Sequence, residues 1–154
     1  MNYRIIFRGT RDGSSCEKFH ELCDNQGPTV VLCENERGNI FGGYASISWQ
    51  NSGNLKSAPD SFLFTLTNIY DIEPTKFSSK NDKKEVYHNS GWGPRFGNGR
   101  DLGINGDMFK TNWYTNFPNT YIDSLGKGKS IFTGDFNDSM NNFKIKEIEV
   151  FKCE

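Results

Sequence analysis

Cys16, His20 and Cys23 stand at i, i+4 and i+7, so on a helix all three project from one face. A thiol beside an imidazolium ionises more readily and becomes a redox-active or nucleophilic group, and the same residue types ligate zinc. Zinc would need a fourth ligand from elsewhere, with Cys33, His88 and carboxylates on offer. The plainer alternative makes the cysteines small core hydrophobes and His20 a hydrogen-bonded residue at the core's margin. The four cysteines, Cys16, Cys23, Cys33 and Cys153, form no C-x-x-C pair and read as reduced.

The segment Gly91-Trp92-Gly93-Pro94-Arg95-Phe96-Gly97-Asn98-Gly99-Arg100-Asp101 invites comparison with a phosphate loop. The spacing excludes it, because Gly97-x-Gly99 is followed by glycine at 103 rather than 102 and no Walker lysine-serine pair follows. Two readings remain. In one, the loop displays Trp92, Arg95 and Phe96, with Asn98 and Arg100, as a recognition surface, since Trp and Arg dominate interface hot spots. In the other it is a packed aromatic loop closing one end of the sheets. Gly134-Asp135-Phe136-Asn137-Asp138 offers oxygen ligands but lacks the full calcium-loop pattern. Ser90 lacks the glycine of a nucleophile elbow, and His88 has no assignable base role. No catalytic set emerges, and no metal or cofactor is expected.

These residues need elements to position them. Residues 3–8 have β character, and Asp12-Gly13 marks a turn. Ser14-Ser15-Cys16-Glu17 reads as a capping box with Ser14 at its head. Behind it, Cys16, Phe19, His20, Leu22 and Cys23 give a helical stripe, stopped by Asn25, Gly27 and Pro28. Residues 29–33 are apolar at both parities, as in a strand covered on both faces, and Ile40 to Trp49 is its hairpin partner. Gly42-Gly43 within that partner signals a bulge or a close backbone approach. Asn51 to Pro59 reads as a polar loop and residues 61–66 as another two-sided strand. Short strands are expected around Glu85–His88, Leu102–Ile104, Asn112–Asn116 and Lys129–Phe132. In the last strand Phe143 and Ile145 share one parity while Ile148 and Val150 share the other, which predicts a β-bulge near Lys146-Glu147. Many short strands, glycine-rich turns and one early helix indicate a mainly β chain with an antiparallel two-sheet architecture.

Composition narrows the partners. The 154 residues carry a net charge of −1 and 14% aromatics, which excludes a disordered, charge-driven tail. With 18 basic against 19 acidic residues there is no excess to neutralise phosphates, so sequence-independent nucleic-acid binding is not expected. No apolar run approaches the roughly 20 residues of a membrane span, and the amino terminus lacks a signal-peptide core. A cytoplasmic location is the default.

Several segments together resemble the TLDc domain of oxidation-resistance proteins. They are Arg8-Gly9-Thr10-Arg11-Asp12-Gly13, Phe19-His20 with Cys23-Asp24, and Gly27-Pro28-Thr29, followed by residues 38–44, Ser48-Trp49 and residues 61–66. Gly93-Pro94-Arg95-Phe96-Gly97, Asp101-Leu102 and residues 143–151 complete the series. Each is weak alone; their order and coverage carry the resemblance, and the Phe-His and Cys-Asp-x-x-Gly-Pro-Thr forms look like the protist-type branch. The resemblance implies an antiparallel β-sandwich with short peripheral helices, a role in oxidative-stress resistance, and interaction with the vacuolar proton-pumping ATPase. It also implies an amino-terminal extension before the first strand, which a single domain over residues 1–154 is expected to lack. The leading expectation is therefore a non-enzymatic interaction domain. The alternatives are a thiol-based antioxidant acting through Cys16 or Cys23, and a carbohydrate-binding β-sandwich module, suggested by exposed aromatics and abundant Asn.

Overall fold

The computed structural model describes residues 2–136 and 142–154. In chain order the strands are β1 (Tyr3–Arg8), β2 (Thr29–Asn35), β3 (Ile40–Ala45), β4 (Ser52–Lys56), β5 (Phe62–Thr67) and β6 (Thr75–Ser78). They continue with β7 (Val86–Asn89), β8 (Trp92–Phe96), β9 (Leu102–Asn105), β10 (Trp113–Tyr114), β11 (Asn142–Phe143) and β12 (Ile145–Cys153). Three helices interrupt them: α1 (Gly9–Asp12), α2 (Cys16–Cys23) and α3 (Ser130–Thr133).

Two six-stranded antiparallel sheets form, in the orders β1-β12-β2-β3-β5-β6 and β11-β10-β9-β8-β7-β4. Aromatic side chains fill the space between them. Phe41, Phe77, Phe117, Phe132 and Phe143 make one chain of ring contacts, and Phe7, Phe19, Trp49, Phe96 and Tyr121 make another. Edge-to-face pairs of this kind contribute about 0.5–1.5 kcal/mol beyond their buried area, so aromatics here do work that aliphatic residues do elsewhere. Gly43 lets the sheets approach closely, since a Cβ there would lie 2.6 Å from the Phe96 ring of the facing sheet.

The parity change in the last strand is resolved as expected. The β12–β2 register slips between Ile145 and Glu147, and Phe143, Ile145, Ile148 and Val150 all turn inward. Several local expectations need correction. Ser15, not Ser14, caps α2 by accepting the Lys18 amide at 3.0 Å, while the Ser14 hydroxyl donates to Asp107 at 2.7 Å. Residues 130–132 belong to α3 rather than a strand, with Lys129 at its N-cap, and the helix stops at Gly134 in the left-handed conformation (φ 77°). The polar stretch 51–59 contains edge strand β4, paired to β7. The second faces of β2 and β5 are not covered: Val30, Leu32, Phe64 and Leu66 line an outer apolar groove with Tyr3 and Phe151. Of the oxygen-rich segment 134–138, Asn137 and Asp138 lie outside the described residues.

Candidate functional site

Helix α2 turns Cys16, Phe19, His20 and Cys23 toward the protein, as its spacing requires. The chemistry around them is bonding of structure. His20 Nδ1 meets Asp24 Oδ1 at 2.7 Å, and Nε2 meets the carbonyls of Asn89 and Trp92 at 2.7 and 2.8 Å. Both ring nitrogens are thus engaged with a carboxylate and backbone carbonyls, and neither faces a thiol. Cys16 is 8% exposed and its Sγ donates to the Gly106 carbonyl at 2.8 Å; Cys23 is fully buried. Burial pushes both thiols above their ordinary pKa, away from the thiolate. Among the described residues no group of three or more His, Cys, Asp and Glu side chains could hold a metal ion. What His20 does is clasp the turn between β7 and β8, and thereby fix where Trp92 begins.

From that turn the second sheet presents an alternating stack. The Arg95 guanidinium lies 4.1 Å from the Tyr87 ring centroid and 4.5 Å from that of Trp92. Arg100 lies 5.9 Å from Trp92 and 4.8 Å from Tyr114. The order across the strands is therefore Tyr87, Arg95, Trp92, Arg100, Tyr114. Arg95 also donates through Nη2 to the Asn98 carbonyl at 3.1 Å, but its Nε is buried without a partner, and burial pushes the guanidinium pKa down. Among the described residues no carboxylate forms an ion pair with Arg95 or Arg100, whereas Arg4, Arg8 and Arg11 each have one. Cations over aromatic faces gain about 0.5–2 kcal/mol each, enough to hold the guanidinium groups in place without neutralising them.

A bulge explains why this stack exists. Trp92 pairs with Asn105 and Arg95 with Gly103, so three steps on β8 oppose two on β9. The extra residue, in Gly93-Pro94, brings Trp92 and Arg95 to the same face although their parities differ. Phe96 then turns inward at 1% exposure, against Trp49 and Tyr121. Of the five residues expected on a recognition loop, Trp92, Arg95 and Arg100 lie together in the stack, Asn98 is exposed beside it, and Phe96 is core.

The turn after β8 is built to carry Arg100. Gly97 has φ 89°, and a Cβ there would stand 2.0 Å from Asp101 Oδ1. The buried Asp101 carboxylate accepts the amides of Asn119, Thr120 and Tyr121 at 2.8–3.1 Å, even though burial pushes its pKa up. Arg100 itself sits at φ 61°, a left-handed conformation that costs a non-glycine residue roughly 1–2 kcal/mol. Beyond Arg100 lies a groove of about 410 Å³ lined by Arg100, Asn105, Lys110, Asn112, Tyr114 and Lys144, with Thr111. Sequence reasoning missed Tyr87, Tyr114, Lys110 and Lys144. Only the strand order brings them to this face, and that order was not readable from spacing.

The TLDc domain model matches residues 1–154. The chain is 33% identical over 64 residues to the MTOR-associated protein MEAK7 of Danio rerio, covering 42% of this chain and 14% of that protein. It is 33% identical over 69 residues to the Mus musculus MEAK7, covering 43% and 14%, and 36% identical over 67 residues to that of Gallus gallus, covering 42% and 14%. The matched stretch is thus a small part of each relative's length.

Proposed function

The chain belongs to the TLDc domain family, and from that premise we propose that it is a protein-interaction domain without catalysis of its own, contacting its partner through the Trp92, Arg95 and Arg100 face. The observation that carries this reading is the pair of guanidinium groups held on aromatic rings with no carboxylate ion-paired to them among the described residues. Such a face loses little side-chain entropy on binding, because its rotamers are already fixed. Tryptophan and arginine in that setting are the residue types on which binding energy concentrates. The MTOR-associated character of those relatives is in keeping with a domain that works by association.

The partner proposed is the vacuolar proton-pumping ATPase, and the biological role resistance to oxidative stress, both following from the family resemblance. Co-sedimentation of the purified chain with the purified soluble sector of that ATPase tests the partner. Wild-type protein should co-sediment, and Trp92→Ala with Arg95→Ala should reduce the bound fraction at least fivefold while leaving the melting curve cooperative. Absence of wild-type co-sedimentation removes the ATPase as partner. Equal binding by the folded double variant removes the proposed face.

A further inference from the structure

Among the described residues, the groove beside the stack is lined by three cationic side chains and no carboxylate. Arg100, Lys110 and Lys144 line it together with Asn105, Thr111, Asn112 and Tyr114. Among the described residues none of the three cations forms an ion pair with a carboxylate. Asp107, close in sequence to Lys110, directs its Oδ1 to the Ser14 hydroxyl and to the amides of Phe109 and Lys110, accepting from them at 2.7–3.1 Å. Lys144 Nζ reaches the Lys110 carbonyl at 3.3 Å, which draws the ammonium across the groove floor. A chain with net charge −1 has thus gathered three positive charges around one depression, and of these only Lys110 feels the Asp107 carboxylate among the described residues.

The two arginines of the stack divide the labour. Arg95 is sandwiched between Tyr87 and Trp92 and spends a donor on Asn98, so it braces Trp92. Arg100 rests on Tyr114 and the far side of Trp92 with no side-chain hydrogen bond among the described residues, so its planar fork of donors remains available. A planar fork suits a carboxylate, which it can engage with two parallel hydrogen bonds. The amides of Asn105 and Asn112, exposed at the rim, suit the alternating donors and acceptors of an extended peptide backbone.

We propose that this groove seats an acidic, extended segment of a protein partner, with one carboxylate on Arg100 and a second shared by Lys110 and Lys144. This rests on the interaction reading above and names the chemistry of the partner. Three cations favour a short acidic peptide over nucleic acid, whose binding rests on neutralising a longer run of phosphates.

The test uses a six-glutamate peptide, a six-glutamine peptide of the same length, a single-stranded oligonucleotide and inorganic phosphate. Binding is followed by calorimetry and by Trp92 emission, since Trp92 is half-buried beside the groove whereas Trp49 and Trp113 are buried in the core. The glutamate peptide should bind at low ionic strength and the glutamine peptide should not. Raising salt from about 50 to about 500 mM should weaken binding, because the Debye length falls from above 10 Å to below 5 Å. Arg100→Gln should weaken it about fivefold, the upper range for a solvent-exposed ion pair. Lys110→Gln with Lys144→Gln should do the same by an independent route, and Lys84→Gln should have no effect. No binding of the glutamate peptide, or unchanged binding by both groove variants, overturns the proposal. So does tighter binding of the oligonucleotide or of phosphate, lost in the same variants, because the groove then recognises phosphate. ATPase co-sedimentation separates the two claims: partner binding without peptide binding refutes the groove alone, and peptide binding without the ATPase refutes that partner alone.

Discussion

His88 is buried on β7 to 1% exposure, and neither ring nitrogen has a hydrogen-bond partner among the described residues. The Ser48 backbone approaches without closing a hydrogen bond, and the Trp49 ring stands edge-on at 6.1 Å. Burial, with Lys56 and His20 adding to it, pushes the imidazole pKa down to about 4. The unfolded chain takes up this proton near pH 6.5, so between those values it binds more protons than the folded chain. The stability His88 contributes is therefore complete above pH 6.5 and is lost as pH falls toward 4. Between pH 7.5 and pH 5 the loss works out at about 2 kcal/mol, with 1.36 kcal/mol for each unit of effective shift. For a chain of this size that lowers the melting temperature by roughly 4–8 °C.

The assay is urea unfolding followed by tryptophan emission, at pH 7.5 and pH 5, for wild type and His88→Phe. Phenylalanine keeps the aromatic volume beside Trp49 and cannot titrate. Asp101 works in the opposite direction, because a carboxyl whose pKa is raised by burial gains relative stability as pH falls. It is present in both proteins and cancels in the difference. Wild type should lose about 2 kcal/mol more than the variant over this interval. Equal losses in the two proteins, or in wild type and His88→Leu should the phenylalanine fail to fit, would refute the assignment of acid sensitivity to this ring.

Gly43→Ala should cost about 1–3 kcal/mol in urea unfolding, because the new methyl group enters the Phe96 ring at 2.6 Å and both sheets must part to admit it. A midpoint unchanged from wild type would show that the sheets are not in contact there. In native protein at pH 7.5, a thiol reagent should label Cys153 first, as the least buried of the four, while Cys16 and Cys23 react only on unfolding. Fast labelling of either helical cysteine would revive the antioxidant reading. His20→Ala should release the turn at Asn89 and Trp92 and shift Trp92 emission to the red, an effect that a Cys16→Ala variant should not share.

Features governed by local periodicity were legible in the sequence, and those governed by strand order were not. The α2 stripe and the bulge in β12 follow from the spacing of apolar residues, which sterics translate directly into faces. The cap was misplaced by one because Ser14 and Ser15 offer the same hydroxyl, and only Asp107, 93 residues away, decides which one is free to cap. Helix α3 has two apolar residues in four, too few to distinguish a helical period from a strand. Edge strand β4 has little apolar pattern because it buries little. Trp92, Arg95 and Arg100 stood out by residue type, yet the inward turn of Phe96 depends on a bulge at Gly93-Pro94 that shows only in the β8–β9 register. Tyr87 and Tyr114 complete the stack from β7 and β10, so no reading of spacing could have joined them.

The same strand links the acid-sensitive core to the stack. Successive residues of a strand face opposite ways, so β7 sends His88 inward to Trp49 and Tyr87 outward to Arg95. Among the described residues β7 and β8 are in register at Val86 and Phe96, while the other neighbour of β7 is the exposed edge strand β4. Besides that pairing, the His20 clasp on Asn89 and Trp92 holds the end of this strand in line. Regions with few such ties open before the rest of a domain does. A proton forced onto His88 should therefore loosen β7 ahead of global unfolding and withdraw the Tyr87 ring from Arg95. Arg95 would then stop bracing Trp92, and the face proposed to meet the partner would lose its fixed rotamers before the core between the sheets gave way.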